Sequence, residues 1–189
     1  MKLQDSLPRG VTVNGTVYHM DFDFRNVLRM FESMERKDLT YEAWVYRALK
    51  CVMRRPRGNL LLILAETRKV LFANAKEPTG EKLTDYDQDA DLIRAAFRQA
   101  YGIDLCRDKL HWLEFTALLA GIPEGTRYND ILSIRARPMP EPTKYNAKER
   151  ENLAKAKAIY AIQMNEKEIT DSLQNIARGL LSMAGKGGE

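Results

Sequence analysis

Hydrophobic and polar positions follow two different periods along the chain. A period of two occurs near the N-terminus, where VTVNGTVY (11–18) contains two short β-rich runs around Asn14 and Gly15. Asn-Gly accepts the positive φ angles of a type I′ turn, so this stretch predicts a β-hairpin. From residue 23 onward, apolar residues recur at intervals of three and four, the spacing of one helix face. The pattern therefore predicts a mainly α protein with a small N-terminal β-hairpin.

Residues that favour helix N-termini divide the first helical region. Asp23 is expected to cap a first helix, Thr40 a second and Asn59 a third, because their side chains accept backbone N–H groups of the first turn. The segment RRPRGN (54–59) separates the second helix from the third, since proline cannot continue a helix. Three helices are therefore predicted before the loop AKEPTGEKLTD (75–85).

Two further helices are predicted after this loop. Asp87 or Asp89 is expected to cap the fourth, which ends at Gly102 in a left-handed conformation. Residues 106–120 are predicted to form the fifth, whose apolar residues cover nearly its whole circumference. A helix that is apolar on all sides is buried, so this one should lie at the centre of the core. The expected core residues of the fourth and fifth helices are Phe97, Tyr101, Leu110, Trp112, Phe115 and Leu119.

A proline-rich segment marks a change in the organisation of the chain. Thr126 is expected to cap a short sixth helix, and RPMPEPT (137–143), with three prolines, predicts a stiff spacer. Residues 144–184 contain two helical segments rich in Ala, Lys and Glu, with narrow apolar stripes. The expected organisation is a hairpin with a compact multi-helix core at 1–136, the spacer, a C-terminal helical arm at 144–184 and a flexible tail at 185–189.

Composition is ordinary for one helix-rich domain with an appended arm. The 189 residues are 44% hydrophobic and 30% charged, with 30 Lys and Arg against 26 Asp and Glu. Both signs are mixed along the chain, so the net charge of +4 favours solubility rather than a polyanionic partner. Cys51 and Cys106 fit neither a disulfide framework nor a metal spacing, and we expect reduced thiols in a protein of the cytoplasm. The N-terminus lacks a signal peptide's apolar core, and LLLILA (60–65) is too short to span a membrane.

His111 and Glu114 are the first candidates for catalysis. On the predicted fifth helix they lie three residues apart, as a general base and its orienting carboxylate would. Catalysis would need a third group, such as an exposed nucleophile or a phosphate-binding loop, and a metal would need more ligands than His19 supplies. We find no such third group in the sequence and no further set of metal ligands. We therefore interpret the pair as structural, through a hydrogen bond or capping contacts, and expect no catalytic residue, no metal and no cofactor.

The acidic string Asp85, Asp87, Asp89 and Asp91 has the alternating spacing of the first half of a calcium loop. It lacks the glycine at the sixth position and runs directly into a predicted helix. We interpret these residues as acids that favour the start of that helix.

Two basic clusters raise the alternative of nucleic-acid binding. Arg54, Arg55 and Arg57 crowd one loop, and a second group of basic residues occupies the arm between Lys144 and Lys157. Such clusters can neutralise phosphates. Acidic residues interleave with the second cluster, however, and no aromatic residue alternates with its lysines as a stacking platform requires. We interpret it as a solvated helix face and do not expect nucleic acid as a partner.

Short sequence elements on both sides of the 75–85 loop carry a family resemblance. Within residues 7–32 the element DFR (23–25) follows the hairpin, and within residues 84–137 the element YGIDL (101–105) precedes LHW. These segments resemble the bacteriophage gene-product-fifteen family, which comes from tailed phages and prophages of Gram-positive bacteria. Further matching positions are Tyr86, Asp87, Asp89 to Asp91, Ala95 to Phe97, Leu110 to Trp112, Phe115, Ala117 to Leu119, Tyr160 and Ala161.

The resemblance covers most of residues 7–162, with a few departures. Leu113 replaces a second tryptophan of the family pattern, and Ile134 occupies a position where an aromatic residue is expected. The chain also extends beyond the usual end of the family. These departures affect what the resemblance implies about the C-terminal arm more than they affect the assignment to the family.

The resemblance implies a phage tail morphogenesis protein. Proteins of this family look like non-enzymatic tail assembly chaperones, which bind the tape-measure protein, tail tube subunits or both. Such a chaperone would act in the cytoplasm of the bacterial host, with no membrane contact, and would be absent from the mature virion. The alternatives are a structural adaptor retained in the tail and a small helical nucleic-acid-binding protein, and an enzyme ranks last.

A chaperone of this kind needs an apolar groove or an exposed helix face for a helical client. It also allows self-association into a homo-oligomer. Each candidate face can equally pack on the core of the protein itself. The residues proposed for partner binding are Val27, Leu28 and Phe31 on the first helix, and Leu153, Ile159, Tyr160, Leu173, Ile176 and Leu180 on the arm.

Overall fold

The fold is mainly α with a small N-terminal hairpin, as the sequence predicts. The computed structural model describes residues 5–36, 38–73 and 82–163, and this part of the chain contains two strands and seven helices. The strands are β1 (Gly10–Val13) and β2 (Thr16–His19). The helices are α1 (Phe24–Met34), α2 (Tyr41–Val52), α3 (Leu60–Leu71), α4 (Ala90–Tyr101), α5 (Trp112–Ala120), α6 (Arg127–Ala136) and α7 (Ala147–Tyr160).

Within the described residues the contacts divide the chain into two compact units. The first contains residues 5–36, 38–73 and 90–129, and the second contains residues 82–89 and 130–163. The spacer expected from the prolines therefore lies inside the second unit. The end of the predicted arm, residues 164–184, and the predicted tail lie outside the described residues.

The hairpin forms where Asn14 and Gly15 predict it. β1 and β2 pair antiparallel, and the two turn residues have φ angles of 49° and 76°. These positive angles are those of the type I′ turn, whose twist matches that of the flanking strands. β1 packs on α3 and buries Val11 and Val13, which leaves β2 largely exposed.

The predicted capping residues begin the first three helices. The carboxylate of Asp23 accepts the backbone N–H of Arg25 at 3.1 Å, and the side chains of Thr40 and Asn59 accept those of Ala43 and Leu62. α1 packs on α2, and α2 packs on α3. Their facing sides are apolar at helical spacing, so each helix buries one stripe in a shared core. The most deeply buried apolar residues of this core are Val27, Met30, Ala48, Leu49 and Ile63.

Aromatic rings from α1, α4 and α5 fill the centre of the first unit. The ring of Phe115 stacks between those of Phe24 and Phe97, with centroid distances of 4.6 and 5.3 Å. The indole N–H of Trp112 donates to the backbone oxygen of Leu71 at 3.1 Å. Such stacking adds to the free energy gained from burying the rings. Among the expected core residues, Phe97, Leu110, Trp112 and Phe115 are buried, while Tyr101 and Leu119 are partly exposed.

The predicted start of the fifth helix, at residue 106, is wrong. α5 begins at Trp112, and residues 104–108 form a separate turn, in which the backbone N–H of Asp108 donates to the oxygen of Asp104 at 2.7 Å. The carboxylate of Asp104 accepts the N–H of Cys106 at 3.0 Å, and that of Asp108 accepts the N–H of Asp104 at 2.8 Å. This turn does not continue into α5, because the backbone is extended at His111, which pairs with Asp23.

An extended segment therefore precedes α5 and pairs with the segment before α1. The backbone N–H of Phe24 donates to the oxygen of Leu110 at 2.9 Å, and the N–H of Trp112 donates to the oxygen of Phe22 at 2.8 Å. This bridge places the start of α5 beside the start of α1, where the rings of both helices stack.

An ion pair between Asp89 and Arg135 lies at the centre of the second unit. The guanidinium donates to both carboxylate oxygens at 2.7 and 2.8 Å, and also to the backbone oxygens of Leu83 and Tyr160. Bidentate pairs of this geometry are among the strong hydrogen bonds of proteins. Arg135 thereby connects residues 82–89 to the end of α7.

Candidate partner-binding surface

The outer sides of α2 and α3 carry large apolar residues that the fold does not bury. Tyr46 is 46% exposed, Leu61 48% and Leu62 43%. The inner side of α2 is used by Val45, Ala48, Leu49 and Val52, and that of α3 by residues at the same helical spacing. An amphipathic helix covers one stripe only, so apolar residues outside that stripe stay in contact with solvent. The run LLLILA predicts a helix, but it does not show which leucines face outward.

A groove runs along the outer side of α2 up to the first residue of α3. We call it the α2 groove. Its volume is about 800 Å³, and its lining is mainly apolar. Leu39, Ala43, Tyr46 and Leu60 contribute apolar surface, while charged side chains stand among them. The charged and sulfur-bearing side chains of the lining are Glu42, Arg47, Lys50 and Cys51. Solvent-exposed concave surfaces of this kind, apolar with a charged border, suit an apolar helix face.

The face of α1 proposed for partner binding belongs instead to the core. Val27 has no exposed surface, and Leu28 is only partly exposed. The ring of Phe31 lies edge-on against Trp112 at 5.4 Å and stacks with Phe72 at 5.7 Å. The hydrophobic spacing of α1 therefore reflects packing within the first unit. Val27 in particular has no surface to offer a partner in this structure.

The proposed arm residues fall into three groups. Leu153 is buried in the second unit, and Tyr160 is partly exposed with its backbone oxygen bonded to Arg135. Ile159 is 73% exposed and remains available to a partner. The other three residues, Leu173, Ile176 and Leu180, lie outside the described residues.

His111 caps α5. Its Nδ1 accepts the backbone N–H of Leu113 at 3.1 Å, so this nitrogen carries no proton. The proton must then be on Nε2, which lies 2.9 Å from the backbone oxygen of Pro8 and donates to it. Both ring nitrogens are thus used in fixing the backbone. The side chain of Glu114 is exposed and is not one of the ring's hydrogen-bond partners.

The acidic string around the start of α4 forms hydrogen bonds and ion pairs within the chain. The carboxylate of Asp85 accepts the N–H groups of Asp87 and Gln88, each at 2.9 Å. The capping residue before α4 is therefore Asp85, and the predicted caps Asp87 and Asp89 do not accept these N–H groups. Burial raises the pKa of Asp85, but hydrogen bonds from Lys82 and from these two N–H groups hold it below its usual value. Within residues 5–36, 38–73 and 82–163, no three His, Cys, Asp or Glu side chains converge as a metal site requires.

The fold and this surface define a small helical protein with an apolar groove on its outer side. The family model of the Bacteriophage Gp15 protein matches residues 3–162, so the chain belongs to that family of phage proteins. The family membership expected from the sequence is thus confirmed. No curated protein and no solved structure matches the chain. In the described part of the chain, no helix is long and apolar enough to cross a membrane.

Proposed function

We propose that the protein is a non-enzymatic tail assembly chaperone that binds the tape-measure protein, tail tube subunits or both through the α2 groove. The observation that carries this proposal is the exposed apolar lining of the groove in a member of a phage family. Apolar side chains that line a groove open to solvent are available to the apolar face of a partner helix.

The groove best suits an amphipathic helix as client. A helix lays residues at i, i+3, i+4 and i+7 into such a groove. The client would place this face against Leu39, Ala43, Tyr46 and Leu60, and its acidic flanks would meet Arg47 and Lys50 at the border. A tape-measure protein that is held before assembly would be covered by many such contacts along its length.

Co-expression with the tape-measure and tube proteins of the same phage tests the proposal. We expect the wild-type chain to co-purify with at least one of them. Tyr46→Glu places a charge in the groove at an exposed position, so the fold should be retained while most of the client is lost. Tyr145→Glu is the matched control, because Tyr145 is 91% exposed and lies outside the groove.

Failure of the wild-type chain to retain either protein would contradict the proposal. Equal losses in the two tyrosine variants would place the client elsewhere. Ile159→Glu then tests the exposed arm residue as the alternative surface.

The same proposal places the protein in the host cytoplasm during assembly and outside the finished particle. Mass spectrometry of purified virions should therefore detect tube and tape-measure peptides without peptides of this chain. Stoichiometric amounts of it in the particle would instead support a structural adaptor.

A further inference from the structure

A second concave surface lies at the loop between α2 and α3. It lies between β2 and residues 53–58 and has a volume of about 690 Å³. Arg54, Arg55 and Arg57 line it together with Tyr18 and His19. All three arginines are exposed. We call this surface the arginine cleft.

The three guanidinium groups form no ion pair with the described carboxylates. This distinguishes them from Arg25, which binds Asp23 at 2.9 Å, and from Arg135, which binds Asp89 at 2.7 Å. Three like charges within residues 54–57 repel one another, and no ion pair to a described carboxylate offsets this repulsion. An anionic ligand would remove this repulsion.

The cleft is held in shape by contacts to defined elements. Gly58 has a φ of +91°, and a Cβ there would lie 2.6 Å from the hydroxyl oxygen of Tyr18. The positive φ favours glycine at this position of the loop. The backbone N–H of Asp21 donates to the oxygen of Val52 at 2.8 Å, and Lys50 donates to the backbone oxygen of Arg54 at 2.8 Å. Sites on supported backbone hold their ligand-binding groups more precisely than free loops do.

We propose that the arginine cleft binds the carboxylates of an acidic protein segment. Each guanidinium offers a planar fork of donors that matches a carboxylate. The proposal deepens the proposed function and rests on it in naming the partner, because a residue that lines the α2 groove contacts a residue that lines the cleft. Lys50 lines the groove and bonds to Arg54, and Leu60 of the groove follows Gly58 by two positions.

The nearness of an apolar groove favours a protein over a nucleic acid as the ligand. A client helix that lies along α2 would carry acidic residues beyond its apolar face, and these would reach the three arginines. A phosphate backbone would gain nothing from Leu39 and Leu60, since specific nucleic-acid interfaces are more polar and more positively charged than protein interfaces. A single client segment could bind both surfaces, with its apolar stripe in the α2 groove and its acidic end in the arginine cleft.

Fluorescence anisotropy with a labelled oligoglutamate peptide tests the cleft without the client. We expect the wild-type chain to bind the peptide. The triple variant Arg54→Ala, Arg55→Ala, Arg57→Ala should weaken that binding by at least about tenfold, because each lost fork removes charge-assisted hydrogen bonds. A triple Arg→Lys variant keeps the charge but not the fork, so its affinity should lie between the two.

A control variant distinguishes binding in the arginine cleft from a general effect of the protein's net charge. Arg94→Ala, Lys148→Ala and Lys155→Ala together remove three positive charges from exposed positions on α4 and α7. This control should bind the peptide as the wild type does. Equal weakening in both triple variants, or no peptide binding by the wild type, would overturn the proposal.

A labelled DNA duplex at the same salt concentration decides between the two polyanions. Tighter binding of the duplex than of the peptide, lost in the arginine variant, would also overturn the proposal in favour of a nucleic-acid site. The proposed function has its own readout. Suppose that Tyr46→Glu loses the client while the arginine variant still binds the peptide. That result would support the proposed chaperone function and contradict the arginine cleft as a carboxylate-binding site.

Discussion

The imidazole of His111 has a structural role that can be measured. It accepts the N–H of Leu113 and donates to the oxygen of Pro8, so it joins the start of α5 to the segment before β1. We expect His111→Ala to lower the free energy of unfolding by about 1 kcal/mol, the usual cost of losing a helix cap. His111→Asn should cost less, because asparagine can also cap. Urea unfolding measures both variants.

Glu114→Ala is the control for this measurement, since Glu114 is exposed in the same first turn. A surface change of this kind should stay within about 0.5 kcal/mol. If His111→Ala were as stable as Glu114→Ala, the cap would contribute nothing, and a different role of the ring would have to be sought.

Trp112 is the residue whose loss should affect the first unit most. Its ring contacts those of Phe31 and Phe115, and its N–H binds the oxygen of Leu71. Trp112→Ala should cost roughly 3–5 kcal/mol, because it opens a cavity in the aromatic core. Trp112→Phe keeps a ring and should cost less. Circular dichroism is the appropriate probe, since the chain has only 2 tryptophans and this change removes one. A cost below about 1 kcal/mol for the alanine variant would contradict central packing.

At the residue scale, the sequence indicates which residues are structural but not what they contact. A histidine among apolar residues, without further chemical groups, predicts no catalytic site. Its partner Pro8 is 103 positions away along the chain, and no periodicity connects the two. The exposed Tyr46 is likewise indistinguishable by type from a core tyrosine.

Among the elements, local chemistry predicts helix starts well where a cap side chain is in place. Asp23, Thr40 and Asn59 cap α1, α2 and α3 as expected, because capping depends on neighbours two or three residues away. The start of α5 is missed because it depends on a distant partner. Leu110 and Trp112 bond to the segment before α1, and this pairing holds the backbone extended where the apolar pattern predicts a helix.

The Asp23 cap gives α1 a pH dependence. Burial raises the pKa of Asp23, but hydrogen bonds from Arg25 and the attraction of its charge lower it overall below the usual value of 3.8. A carboxyl group with a depressed folded-state pKa stabilises the fold above its unfolded pKa. That stabilisation is lost as the pH falls below 3.8 and through the lower folded-state value.

Thermal unfolding at a series of pH values tests this cap. The wild-type chain should lose stability over that acid range, and Asp23→Asn should lose less of it, because asparagine caps without titrating. Asp87→Asn serves as a control, since Asp87 is exposed. Parallel acid profiles of wild type and Asp23→Asn would contradict the assignment.

On the scale of the whole molecule, the sequence predicts the fold class but not the surfaces. Turn chemistry predicts the hairpin, hydrophobic spacing predicts the helices, and the matching sequence elements predict the family. The division of apolar residues between core and exterior depends on which helices meet. For this reason Val27 on α1 is buried, while Leu61 and Leu62 on α3 remain partly exposed to solvent. The pair of Asp89 and Arg135 is equally invisible in the sequence, because 46 positions separate the two residues.

Alkylation of the two cysteines in the presence and absence of the tape-measure client tests the central claim most directly. Cys51 lines the α2 groove, whereas Cys106 is exposed in the segment before α5 and is not part of the groove lining. Both thiols are on one molecule, so each experiment contains its own reference. A client seated in the groove should slow the reaction of Cys51 and leave that of Cys106 unchanged. Unchanged rates at both cysteines in a client-saturated sample would contradict the groove as the binding site.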